Sequence, residues 1–326
     1  MNIAVFGAYG HTGRFVVAEL RERGLVPLPL GRDGAKLAAA FPDLAHRVAA
    51  LDDLDLSGAD AVINTAGPFA STAGPVIEAA LRAGIPYVDV AAEIEANADT
   101  LARAKPAHHA VVPAMAFFGG LGDLLVTAAM GDWDTAGEAH IAYGLSGWHP
   151  TAGTLAAGAV SHERRGGRRV RYTGGRLDYY DADGDLPTLD WDFPGGRRTV
   201  LAGFSMADIV TVPSHLDIPE VRSYMTVEAA RGLAGRATGE RVPETFTVDA
   251  IVRRDGAERR ATVHGRDIYA VSAPLAVEAV QRILDGRTRT TGVASAGKMF
   301  DAEDFLRALP LEYEGAAGPV GGPAAP

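Results

Sequence analysis

Three glycines in seven positions, Gly7, Gly10 and Gly13, follow directly on the apolar start of IAVFGAYGHTGR at residues 3–14. Ordinary side chains would serve a simple turn, so a loop this bare has two readings. It is a tight connection between a buried strand and a helix, or a loop whose backbone amides approach a large anion. Context favours the second. The loop closes a strand, opens the helix TGRFVVAELRERG and sits inside a strand–helix alternation, the setting in which glycines let amides reach a dinucleotide pyrophosphate at a helix amino-terminus.

That helix is apolar at Phe15, Val16, Ala18 and Leu20 and closes at Gly24. LVPLPL, HRVAALD, ADAVINTAG, YVDVAAE and AVVPAMAF read as further strands. GAKLAAAF and PVIEAALRAG read as the helices between them, the latter with Pro75 in its first turn. Such alternation implies right-handed crossovers and a parallel sheet covered on both faces. Pro27 and Pro29 both fall in the second strand, where each removes a ladder donor. Being two apart, they burden the same side, so that side of the strand should be short and poorly bonded. Beyond Asp123 the pattern changes. EAHIAYGLS, RRVRYT, RRTVLAGF and DIVTVP read as strands, TAGTLAAGAVSHER as a helix, and TFTVDAIVRRDGAERRATVHG as a hairpin turning at Gly256.

The fold class expected is therefore α/β: a Rossmann doubly wound parallel sheet plus a second α+β domain with a mixed or antiparallel sheet. The divisions read from the sequence are a dinucleotide-binding domain over 1–123 and a substrate and dimerisation domain over 124–268. Helices over 269–312 pack back on the first domain, and the glycine-, alanine- and proline-rich tail 313–326 is flexible. A chain of 326 residues suits such a division.

Composition narrows the function. The absence of cysteine removes disulfides, thiolate metal sites and cysteine nucleophiles. A formal charge of −10, with lysine only at positions 36, 105 and 298 and arginine scattered, gives nucleic acid no electrostatic footing. The oiliest stretch, residues 110–122, is broken by Pro113 and too short to span a bilayer. With no visible leader, the expected location is cytoplasmic and no membrane insertion is expected. Exposed sheet edges in the second domain make a homodimer an expected partner state. No metal site is expected; His108 and His109 read as a loop pair.

The second strand ends in Gly31-Arg32-Asp33, with Lys36 one turn on. A planar guanidinium matches a ribose 2′-phosphate, which an acid would repel, and Asp33 is placed to cap the next helix. This charge argument favours NADP(H) over NAD(H); Arg32 as a mere surface charge would remove the preference. Tyr9, His11 and Thr12 stand in the glycine loop. Ala66, Gly67 and Pro68 follow the fourth strand and should border the nicotinamide side. Asp52 either meets the adenine or is a solvent-facing turn residue.

Together, GAYGHTGR, GRD with its following KL, INTAGPF and PVIEAALRAGIPYVDVAAE resemble the saccharopine dehydrogenase-like reductases, a broad group that includes trans-acting enoyl reductases. The resemblance is strong over 1–125. It implies an NADP-binding Rossmann domain with a mixed α/β domain over the nicotinamide. It also implies cofactor roles for Gly7, Gly10, Thr12, Gly13, Arg32 and 66–68, with Asp89 and Glu93 matching the acid-containing segment after the fifth strand. The chain departs in its shortness and in Ala92, where a glycine is common.

For chemistry, no lysine stands four residues after a tyrosine, which excludes the Tyr-x-x-x-Lys donor of short-chain dehydrogenases. YGLSGWHPTAGT gathers Tyr143, Ser146, Trp148, His149 and Thr154 before a helix; His149 and Tyr143 are the catalytic candidates, and Trp148 a pocket wall. The expectation is an NADP(H)-dependent oxidoreductase reducing a C=N, C=C or C=O bond of a small metabolite. The alternative is a non-catalytic NADP(H)-binding sensor or scaffold.

Overall fold

The computed structural model describes residues 1–103, 108–235 and 244–315. Its first half is a six-stranded sheet of β1 (Asn2–Phe6), β2 (Val26–Gly31), β3 (Arg47–Val48), β4 (Ala61–Asn64), β5 (Tyr87–Asp89) and β6 (Val111–Val112). All pairings are parallel and the order is β3-β2-β1-β4-β5-β6, the doubly wound arrangement expected. Helices α1 (His11–Glu22), α2 (Gly34–Ala40), α3 (Phe69–Ala83) and α4 (Ile94–Leu101) make the crossovers.

The prolines of β2 behave as their spacing demands. Val26 N bonds back to Met1 O and Leu30 O accepts from Gly7 N, so the even positions face β1. Pro27 and Pro29 face β3, whose pairing begins only at Leu30 and Gly31. The helix α3 differs from its sequence reading: it starts at Phe69, which leaves Pro75 in its interior rather than its first turn.

The second sheet is mixed and nine-stranded. It comprises β7 (Glu138–Leu145), β8 (Arg169–Thr173), β9 (Arg176–Tyr180), β10 (Thr188–Phe193), β11 (Gly196–Ala202), β12 (Glu220–Thr226), β13 (Thr245–Arg254), β14 (Ala257–Arg266) and β15 (Glu312–Glu314). Its main path runs β10-β11-β12-β7-β13-β14-β15, with the β8–β9 hairpin attached to β12. Among the described residues only its β12–β7 pairing is parallel. The β13–β14 hairpin turns at Asp255-Gly256, both at positive φ. Two readings are corrected here. DIVTVP is helix α7 (Asp208–Thr211) running into a 3-10 turn (Val212–Ser214), because its β-branched side chains are buried against α5 (Gly120–Met130) and β12. The tail expected from 313 is also in part a strand, since Tyr313 pairs with Val263; residues 316–326 lie outside the described residues.

Helix α5 covers β13 and β14. The remaining helices are α6 (Ala152–Arg164), α8 (Val227–Ala234), α9 (Ser272–Leu284), α10 (Ala296–Met299) and α11 (Ala302–Ala308). It is α9 that packs on α1, and Val293 bridges Val111 at the edge of the parallel sheet. The last helix, α11, packs on α5 instead of the first domain. One apolar cluster runs from Ile3 and Val5 through Leu275 and Val280 of α9 to Val248 and Val263. This shared core seats the two sheets against each other, with a cleft left open beside it. Among the described residues, no helix is long and apolar enough to cross a membrane.

Candidate cofactor and substrate cleft

The cleft holds about 710 Å³ and lies outside the carboxyl ends of β1, β2, β4 and β5, where ligands of open α/β sheets bind. One wall is main chain. Gly7 takes φ +85°, and a Cβ there would stand 2.8 Å from the Ala66 amide nitrogen, so only glycine lets the two loops meet. Gly13 faces away from the cleft, and a Cβ on it would come within 2.5 Å of Gly7 O, which identifies close strand–helix packing as its role. Gly10 caps α1 without a side-chain bond, leaving the amides of the first turn beside the lining residues Gly10, His11 and Thr12.

At the end of β2, Arg32 lines the cleft, is exposed, and has no ion pair among the described residues. Asp33 caps α2, its Oδ1 accepting from Lys36 N at 3.0 Å, and that amide holds its carboxyl below the ordinary range. Lys36 sits outside the cleft, 3.3 Å from Asp33 and 5.8 Å from the centre of the Tyr9 ring. Tyr9 itself lines the cleft and packs on Gly31, where a Cβ would touch its ring at 2.5 Å. Asp52 is exposed and does not line the cleft; its neighbour Leu51 does.

Beyond β4, Ala66, Gly67 and Pro68 line the cleft as expected. Beyond β5 the two acids diverge. Asp89 is fully buried and faces away from the cleft; it accepts from Ala91 N at 3.0 Å, Ala114 N at 2.8 Å and the Tyr87 hydroxyl at 2.7 Å. It therefore fastens the end of β5, a correction to its cofactor assignment. Glu93 does line the cleft, 6% exposed, and accepts from Phe69 N, the first amide of α3, at 3.0 Å. Burial pushes its carboxyl up to about 7, with Asp89 and Glu95 adding to the rise, so both protonation states are populated near neutrality.

The facing wall corrects both catalytic candidates. Tyr143 is fully buried, does not line the cleft, and donates to Asp208 Oδ1 at 2.7 Å. Burial and the Asp208 charge push its phenol well above the ordinary tyrosine range, while burial lifts Asp208 to about 6. His149 is exposed and lies off the cleft, because the chain turns Trp148 inward and its successor outward. The polar group that does face inward is Tyr269, absent from the sequence candidates. Its hydroxyl accepts from Trp148 Nε1 at 3.1 Å and Thr151 N at 3.2 Å and meets Thr154 Oγ1 at 2.7 Å, at the amino end of α6. Its ring stands edge-on to His11, 5.2 Å between centroids. The available signal was Asp267, whose Oδ1 takes the amides of Tyr269 and Ala270 and so delays the helix start to Ser272. Along α6, Ser161 and Arg165 also line the cleft; Arg165 is 3.3 Å from Glu95 and 2.9 Å from Ser161 Oγ, and Ser161 Oγ donates to Glu95.

Residues 3–115 match the family model of the saccharopine dehydrogenase NADP binding domain. Among solved structures, apo saccharopine dehydrogenase (L-Glu forming) from Saccharomyces cerevisiae aligns at TM-score 0.61 and 9% identity, over 97% of this chain and 100% of that one. Amine dehydrogenase from Mycobacterium smegmatis aligns at TM-score 0.47 and 11% identity, over 92% and 96% of the two chains. GenD2 from gentamicin A biosynthesis, in complex with NAD, gives 0.43 and 16%, over 95% and 93%. At such identities the first of these likenesses speaks for the fold. No curated protein matches the chain in sequence.

Proposed function

We propose, from an amino-terminal domain that matches the model of the saccharopine dehydrogenase NADP binding domain, that this chain is an NADP(H)-dependent oxidoreductase acting on a C=N, C=C or C=O bond of a small molecule. The observation that carries this reading is the conjunction at the end of β2: a cleft-lining Arg32 with no ion pair among the described residues, beside an acid turned away into a helix cap. The cleft fits the dinucleotide. Gly7, Gly10 and Thr12 would hold the pyrophosphate at the start of α1, Arg32 the 2′-phosphate, and 66–68 the nicotinamide ribose. A bound nicotinamide supplies or withdraws a hydride.

The chain's own part is to orient, to exclude water and to move a proton. Glu93 is suited to the last: the single Phe69 N–H is shared between Oε1 at 3.0 Å and Oε2 at 3.3 Å, which leaves the carboxyl capacity to carry a proton toward a substrate heteroatom. Its elevation to about 7 supports such a role at neutral pH. A cleft-lining Glu93 able to carry a proton supports an enzyme over a sensor. The division at 123 and 268, with α9 of the last segment returning to the first domain, belongs to the same proposal.

Titration of NADPH and NADH by cofactor fluorescence tests the reading. Wild type should prefer NADPH, and Arg32→Ala should weaken NADPH about tenfold, the loss of one charge-assisted contact, while leaving NADH unchanged. Equal affinities untouched by the substitution would defeat it.

A further inference from the structure

The cleft's second wall is apolar by construction. Phe117, Phe118, Trp148, Met206, Leu233 and Ile268 line it. The rings lock together, Phe118 standing 4.8 Å from Phe117 and 5.3 Å from Trp148. The polar atoms among them are turned into the wall. Trp148 Nε1 is bonded to Tyr269, Ser205 Oγ donates to Val170 O at 2.5 Å, and Ser272 Oγ donates to Ile268 O at 3.3 Å. Each hydrogen bond satisfied internally is one not offered to a ligand.

The charges point the same way. Arg165 is held by Glu95 and Ser161, and Arg32 stands at the β2 end of the cleft. A substrate carboxylate placed against the second wall would meet no unpaired side-chain cation of the described lining there, and would face the acid Glu93. Pockets of this kind take apolar ligands and orient them by a few polar groups.

Resting on the oxidoreductase reading, we propose that the substrate is uncharged and mainly apolar, with one polar unsaturated group directed at Glu93 and its hydrocarbon part against Trp148, Met206 and Leu233. Calorimetric titration of the NADP⁺-loaded protein with 2-alkanones from 2-hexanone to 2-nonanone, and with the 2-oxo acids of equal length, tests this. Affinity for the ketones should rise about fourfold per methylene, the worth of burying one CH₂, and each acid should bind at least tenfold more weakly than its ketone. Met206→Glu and, independently, Leu233→Glu should flatten the ketone series while cofactor affinity stays within twofold, which also shows that the variants fold. A flat series, a preference for the acids, or binding of neither by a protein that binds NADP⁺ overturns the inference and leaves the cofactor reading standing. Failure to bind NADP⁺ removes the reading beneath it.

Discussion

The glycine-loop wall and the wall facing it are held in place by different means, and they should fail differently. On the first, backbone meets backbone: the Gly7 loop touches Ala66 with no room for a Cβ, and Gly13 lies against Gly7 O. On the second, side chains from distant segments meet: Trp148 and Tyr269 are 121 positions apart, and in the layer behind them Tyr143 reaches Asp208 across 65. A wall of main chain is intolerant of added atoms and indifferent to lost ones. A wall of networks is intolerant of lost partners.

The strongest test of that contrast adds one methyl group. Gly7→Ala forces an L side chain to positive φ and into the Ala66 backbone, which does not rotate away as a side-chain tip would. The φ penalty and the overpacking together come to about 3–4 kcal/mol. Urea unfolding should register that loss, and NADPH affinity should fall at least a hundredfold, because the displaced amides face the cofactor. If the variant keeps both, the first wall is more plastic than its geometry implies.

A subtler test probes the buried polar layer behind the second wall. Asp208 is fully buried, bonded to the Tyr143 hydroxyl and the Gly119 amide, near Asp123 and with Oδ2 lacking a hydrogen bond among the described residues. Its carboxyl is raised from 3.8 to about 6, so its contribution to stability is fully present below pH 4 and is lost as pH climbs through 6. The rise corresponds to roughly 2–3 kcal/mol. Asp208→Asn keeps both acceptor bonds and removes the titration. Measured by urea unfolding, the variant should therefore gain that amount on wild type between pH 4 and pH 7. A difference constant with pH would mean that the carboxyl is ionised throughout.

How much of this was legible in the sequence follows the same contrast. The glycine loop, the strand–helix alternation, the proline side of β2 and the Asp33 cap are local matters, decided within a few residues, and each was readable. The second wall was not. In β7 all residues but the first are buried, on both faces, so alternation gave no sign that Tyr143 points away from the cleft. Trp148 and His149 are neighbours with opposite fates, settled by where the chain turns after β7 rather than by residue type. Asp89 and Glu93 occupy one segment, yet only the packing of Ala91 and Ala114 against Asp89 tells a fastening acid from a lining one.

The mildest test is also the one that best separates the walls. Tyr269→Phe keeps the ring, and with it the edge contact to His11 on the glycine side, but removes the oxygen that takes Trp148 Nε1 and Thr151 N. Two donors then lose their acceptor. Full burial would make each loss worth about 1–3 kcal/mol, but Thr151 and Tyr269 are only half-buried at the cleft, where water can enter as a substitute. A net loss of roughly 1 kcal/mol in urea unfolding is expected. NADPH affinity should stay within twofold, since nothing in the Gly7–Ala66 contact depends on that oxygen. Ketone binding should weaken instead, because an indole N–H no longer satisfied within the wall is turned toward hydrocarbon. A variant that loses NADPH and keeps the ketones would reverse the assignment of the two walls.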